Sequence, residues 1–120
     1  MLNSFLQRIK SNQDIDFKDT MDVIARHYHY QPTRFTNGIT RVICNEAGSN
    51  EGSCRLFAFA RLHNLNQQQT LALFGDYYRK DVLEHPEGSD HANIRQFIRD
   101  GWQGIQFDSD VLQPKSQYAD

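Results

Sequence analysis

The sequence has no apolar stretch near the roughly 20 residues that a membrane-crossing helix needs, which excludes a helical span. Its amino terminus lacks a basic segment followed by a long apolar run, so no Sec-type signal is expected. It also lacks an excess of either charge. Thirteen basic against fifteen acidic residues leave a net charge of −2, without a strong run of either sign. Nucleic acid and anionic membrane surfaces both call for a basic patch, so neither is expected as a partner. Cysteine is scarce. Cys44 and Cys54 are the only two, and their spacing carries neither a metal nor a redox signature. No Gly-Lys-Ser/Thr follows the glycine-rich stretch, so it is not a phosphate loop. No cofactor is expected. There is no linker and no internal repeat. The expectation is one soluble domain of the bacterial or host cytoplasm, with reduced thiols.

Aromatic residues, by contrast, are plentiful at 12%, eight of them phenylalanine, and 120 residues suffice for a modest core. The stretch 45–65, NEAGSNEGSCRLFAFARLHNL, dominates the chain. Its first half is a polar, glycine-containing loop. Ser53 suits an N-cap, since a serine oxygen can accept a free N–H of the first turn. Cys54, Leu56, Phe57, Ala58, Phe59, Ala60 and Leu62 then make a helix apolar almost all round, which belongs in the middle of a domain.

Around it the pattern is mainly helical. Leu2, Phe5, Leu6 and Ile9 share a helical face. Asp16 is placed to cap a helix running to about His29, with Phe17, Met21, Ile24 and Tyr28 on its apolar side. Asn37-Gly38 suits a two-residue turn, with β-prone Phe35 before it and residues 39–43 after it. Asn66 with Gln69 three residues on forms a variant capping box, and Gly75 suits a C-cap. Asp76 opens a short helix with contacts at Tyr77, Tyr78, Val82 and Leu83. Asp90 is expected to cap another whose face is Ile94, Phe97, Ile98 and Trp102. Residues 104–107 resemble a strand that would pair with 39–43. The expected fold is therefore mostly α (α+β at most): a single-domain bundle of five to six short helices with a minor two-stranded β element. The domain spans 1–112, and 113–120 is a polar tail.

Three constellations carry chemistry. Cys54 at a helix start would have its thiolate favoured by the helix dipole, with His91 as base and Asp90 orienting it. That is the pattern of a cysteine-dependent hydrolase or transferase; the plainer reading is a small buried hydrophobe. His85 and His91, with Asp90 between and Glu46 from the loop, suggest a metal site, although their spacing fits no metal motif. The loop 45–52 can hold a small polar ligand on backbone N–H groups, and Asn45, Glu46, Asn50, Ser53, Tyr77, Tyr78 and Arg95 are the candidate ligand-binding residues. The plainer reading of the same loop is a structural turn in which Gly48 and Gly52 supply positive φ.

The strings DFKDTMDVI, NEAGSNEGSC, FAFARL, TLALFGDYYR, VLEHPEGSDHANIRQF and GWQGIQF, in this order, resemble the HopJ type III effector family from about Asp16 to Phe107. Residues 40–44 fall outside the resemblance, so Cys44 inherits nothing. The matching positions include Asn45, Gly48, Asn50, Gly52, Ser53, Cys54, Gly75, Tyr77 and Tyr78. Pro86, Gly88, Asp90, His91, Asn93, Ile94 and Arg95 match as well. The resemblance implies a bacterial protein of a family named after an effector that a plant pathogen injects into host cells, and it implies no reaction. The favoured expectation is a small binding domain whose partner is a protein or a small polar ligand, secreted into a host in some species. The thiol enzyme and the metal site are the alternatives.

Overall fold

The amphipathic first segment forms α1 (Leu2–Lys10), which buries Phe5 and Ile9. The computed structural model describes residues 1–115. After Asp16 comes α2 (Phe17–His27), whose buried residues are Thr20, Val23, Ile24 and His27. The inward stripe is thus turned from the expected one, and Phe17 and Met21 are only partly covered. Helix α2 also ends two residues earlier than expected. Tyr28–Tyr30 leaves as strand β1 to pair, antiparallel, with a segment near the other end of the chain.

Strands β2 (Phe35–Asn37) and β3 (Ile43–Asn45) are joined by a five-residue connection, 38–42, in place of a two-residue turn. Gly38 has φ +122°, and its N–H donates to the Gly104 carbonyl at 3.0 Å. A Cβ on Gly104 would lie 2.7 Å from the Gly38 nitrogen, so backbone meets backbone there. This close approach draws β4 (Ile105–Phe107) against β2, with Phe35 opposite Phe107 and Asn37 opposite Ile105. The expected partner, 39–43, is wrong. β2 is the central strand of a three-stranded sheet in the order β3-β2-β4. The second sheet pairs β1 with β5 (Leu112–Pro114), so ordered structure runs past residue 112 into the expected tail. Residues 116–120 of that tail lie outside the described residues.

Helix α3 (Glu51–Leu62) fills the centre, with Leu56, Phe57, Phe59 and Ala60 fully buried. Leu62, expected inside, is 51% exposed at the end of the helix. Phe57 is the hub of the aromatic core. Its ring centroid lies 4.9 Å from that of Phe97, 5.5 Å from Phe74, 6.0 Å from Phe35 and 6.2 Å from Trp102. Helix α4 (Gln67–Ala72) has the expected capping box: Asn66 Oδ1 accepts from the Gln69 N–H at 2.8 Å, and Gln69 Oε1 accepts from the Asn66 N–H at 3.0 Å. Gly75, at φ +63°, sits so close to α2 that a Cβ would be 2.8 Å from the Phe17 nitrogen. It leads into a π-helical segment, Tyr77–Val82.

Helix α5 (Ala92–Asp100) packs on the far side and buries Ile94 and Phe97, while Ile98 faces outward. A short 3₁₀ turn, Gly101–Gly104, follows, and the Trp102 indole donates to the Leu65 carbonyl at 3.0 Å. The protein is thus mostly α, with two small antiparallel sheets in place of the single β element expected. Among the described residues no helix is long and apolar enough to cross a membrane.

Candidate functional site

Both helices that frame the site start in an unexpected way. The N-cap of α3 is Asn50, at φ +51° in the left-handed region, so Ser53 lies in the first turn and is not the cap. The N-cap of α5 is His91, at φ +52°, and not Asp90. Neither helix has a side-chain cap hydrogen bond. The first-turn N–H groups of a helix have no partner within it, and they carry its partial positive charge. Asparagine tolerates the left-handed conformation readily, whereas a histidine there is held by its surroundings.

Four asparagines set the two starts beside each other. Asn45 Oδ1 accepts from Asn50 Nδ2 at 2.7 Å and from Asn93 Nδ2 at 2.9 Å. Asn93 Oδ1 accepts from Asn45 Nδ2 and from Asn37 Nδ2, both at 3.1 Å. Asn37 Nδ2 also donates to the Asn93 carbonyl at 2.9 Å. Asn37 and Asn45 are sealed from solvent and Asn93 nearly so. The network therefore ties β2, β3, the glycine loop and α5 together, running from the buried Asn37 and Asn45 to the exposed Asn50.

A cavity of about 400 Å³ opens between the two helix starts and the π-helical segment, with Phe17, Asn50, Ser53, Tyr77, His91 and Asn93 in its wall. Gly52 lets the Phe17 ring lie on the first turn of α3, since a Cβ there would be 2.8 Å from Phe17 Cζ. Tyr77 is 45% exposed, and its ring centroid lies 5.2 Å from those of both Phe17 and His91. His91 Nε2 is 3.0 Å from Asp81 Oδ2 and 3.8 Å from Asp90 Oδ2, so Asp81 is its orienting carboxylate.

Arg95 holds this corner closed. Only 9% exposed, it donates from Nε to the Asp90 carbonyl, from Nη1 to the His85 carbonyl and from Nη2 to Asp90 Oδ1 at 2.6 Å. The guanidinium hydrogen bond holds the Asp90 carboxyl below its ordinary range. Arg95 is thus a clamp for the 81–90 turn and is not presented to a ligand.

Cys54 does not join this group. It is 1% exposed, its thiol donates to the Thr33 carbonyl at 3.5 Å, and it takes no part in the cavity wall. Burial pushes the thiol up to about 11, against the downward shift expected at a helix start. Desolvation outweighs the lowering by the Thr33 hydrogen bond and by Arg55 because the sulfur faces the core. The proposed assembly of Cys54, His91 and Asp90 as nucleophile, base and orienter is corrected accordingly. In the native protein Cys44, which is exposed, is expected to alkylate readily while Cys54 stays protected until unfolding. Mass mapping of iodoacetamide adducts checks this, and labelling of native Cys54 at the rate of Cys44 would contradict it.

The remaining candidates separate. Asn45 serves from behind the wall. Tyr78 is buried elsewhere and accepts from Gln68 Nε2 at 3.3 Å. Glu46 reaches Arg34 at 3.5 Å on the surface. His85 contributes its carbonyl to Arg95 and is not grouped with His91. Among the described residues, the donor atoms that gather within 4.8 Å of one another belong to Asp81, Asp90 and His91. Their short contacts are to each other and to Arg95, which corrects the metal set of His85, His91, Asp90 and Glu46. Phe17, Asp81 and Asn93 were missed as site residues. Only Asn93, in the HANIR string, gave a signal in the sequence.

A family model described as HopJ type III effector protein matches residues 2–112. No curated protein matches the chain. The chain is similar, at 47% identity and a TM-score of 0.90, to a crystal structure of an unknown function protein, VPA0580; the likeness covers 96% of this chain and 94% of the other.

Proposed function

Given that the chain belongs to the HopJ type III effector family, a membership that brings no reaction with it, we propose that it is a small binding domain. Its cavity would take a small polar ligand through an anionic head. One observation carries this reading: the starts of α3 and α5, both without side-chain caps, open into the same cavity. A negative group placed there meets two sets of unpaired N–H donors and two helix ends, that of α3 already bearing Glu51 in its first turn. Each end favours a nearby anion by about 0.3–1 kcal/mol in exposed settings, and more where water is partly excluded. Phe17 and Tyr77 supply that partial exclusion. Family membership supports a second element of the proposal, delivery from the bacterial cytoplasm into a host cell through a type III system.

Titrating inorganic phosphate and acetate against the ¹⁵N-labelled protein tests the binding reading. The amide resonances of Gly52, Ser53, Ala92 and Asn93 are expected to shift together and saturate. Ser53→Asp places a carboxylate in the first turn of α3, where the helix tolerates it well, and it is expected to lower the anion affinity at least tenfold. Unmoved amides in the native protein, or undiminished binding in a folded Ser53→Asp variant, would refute the reading.

A further inference from the structure

We infer that the ligand is amphiphilic: its anionic head lies at the paired helix starts, and an uncharged apolar arm crosses Tyr77 into a second hollow beside Met21. This rests on the binding reading above and extends it to a ligand class. The second hollow, of about 520 Å³, shares Phe17, Phe74 and Tyr77 with the first, so both lie against the same aromatic residues. That wall is well braced. Phe17 stacks on Phe74 at 6.3 Å and 8°, and it meets Tyr77 edge-on at 5.2 Å. Tyr77 nonetheless stays 45% exposed at the junction, and Met21 closes the far side only in part. An apolar group laid there would cover surface that the fold leaves wet.

The charges on the rim show why the arm should be uncharged. Asp76 pairs with Arg79 at 3.3 Å and with Lys80 at 3.8 Å, Asp16 with the Arg79 guanidinium at 3.9 Å, and Lys18 with Asp22 at 2.9 Å. The positive and negative groups are matched within the protein, so a second ligand charge would find no partner waiting. Hollows of 400 and 520 Å³, both open to solvent, have room for small molecules. The class indicated is an alkyl or aryl carboxylate or phosphate of modest length.

The test is an amide-resonance titration with straight-chain carboxylates from acetate to octanoate, set beside inorganic phosphate and phenyl phosphate. Affinity is expected to rise about two- to fourfold per methylene over the first several carbons. Phenyl phosphate is expected to exceed inorganic phosphate at least tenfold, and the tighter series identifies the head. Longer members should newly shift the amides of Met21 and Asp76. Met21→Gln, at a partly exposed site, is expected to cut the gain of hexanoate at least threefold while leaving acetate and phosphate within about twofold. If the heads bind but affinity is flat with chain length, the arm is refuted and the binding reading stands. A gain unaffected by Met21→Gln would refute the arm's location. If neither head nor arm perturbs these amides, both readings fall.

Discussion

Phe57→Ala is expected to destabilise the protein by about 3–5 kcal/mol, the range for emptying a large aromatic from a closed core. The side chain is wholly buried and touches rings from four separate parts of the chain: Phe35 on β2, Phe74 after α4, Phe97 on α5, and Trp102 in the 3₁₀ turn. Removing it takes away transfer energy and leaves a void that four rigid neighbours cannot readily fill. Against a total stability of about 5–15 kcal/mol for a domain of this kind, that is a large share. Urea denaturation reads it as a lower midpoint with an unchanged slope. A loss below about 1 kcal/mol would mean that the core is not centred on this residue.

Asn93→Leu should cost about 2–4 kcal/mol, from buried amide groups left without partners at about 1–3 kcal/mol each. Asn45 Nδ2 would retain only a 3.4 Å contact to the Phe35 carbonyl, and Asn45 Oδ1 would lose one of its two donors. Asn37 would keep the Asn93 backbone carbonyl but lose the side-chain acceptor. The sign is the same as for Phe57, but the cause differs. Replacing both Asn45 and Asn93 by leucine should therefore cost less than the sum of the single changes, because the orphaned groups disappear in pairs. The same substitution loosens the start of α5 from the loop before α3, so any ligand of the cavity should weaken even in the folded fraction. Strict additivity in the double-mutant cycle would show that the asparagines act independently.

Local signals in the chain foretold part of what depended on neighbours in sequence, although the caps expected at Ser53 and Asp90 and the two-residue turn at Asn37-Gly38 did not form. The burial of α3 was legible because an unbroken apolar run has no solvent face to offer. The capping box at Asn66 was legible because both partners lie three residues apart. Gly75 was legible as a break, although its contact with the Phe17 backbone was not. The strand at 105–107 was legible by composition, but its partner was assigned to 39–43 when it is 35–37. Either segment is β-prone, and the choice was made by the Gly38–Gly104 approach across more than sixty residues.

The site divides in the same way. The sequence by itself determined one mostly helical domain and the family it resembles, since composition, periodicity and motif strings are local properties. Tertiary structure alone decided which side chains line the cavity. It turned Cys54 into the core, made Asn50 and His91 the helix starts, paired His91 with Asp81, and brought Phe17 and Tyr77 round to form the wall. Those outcomes follow from how buried faces, hydrogen-bond demands and backbone contacts are satisfied together in three dimensions. A residue's spacing to its neighbours does not encode them.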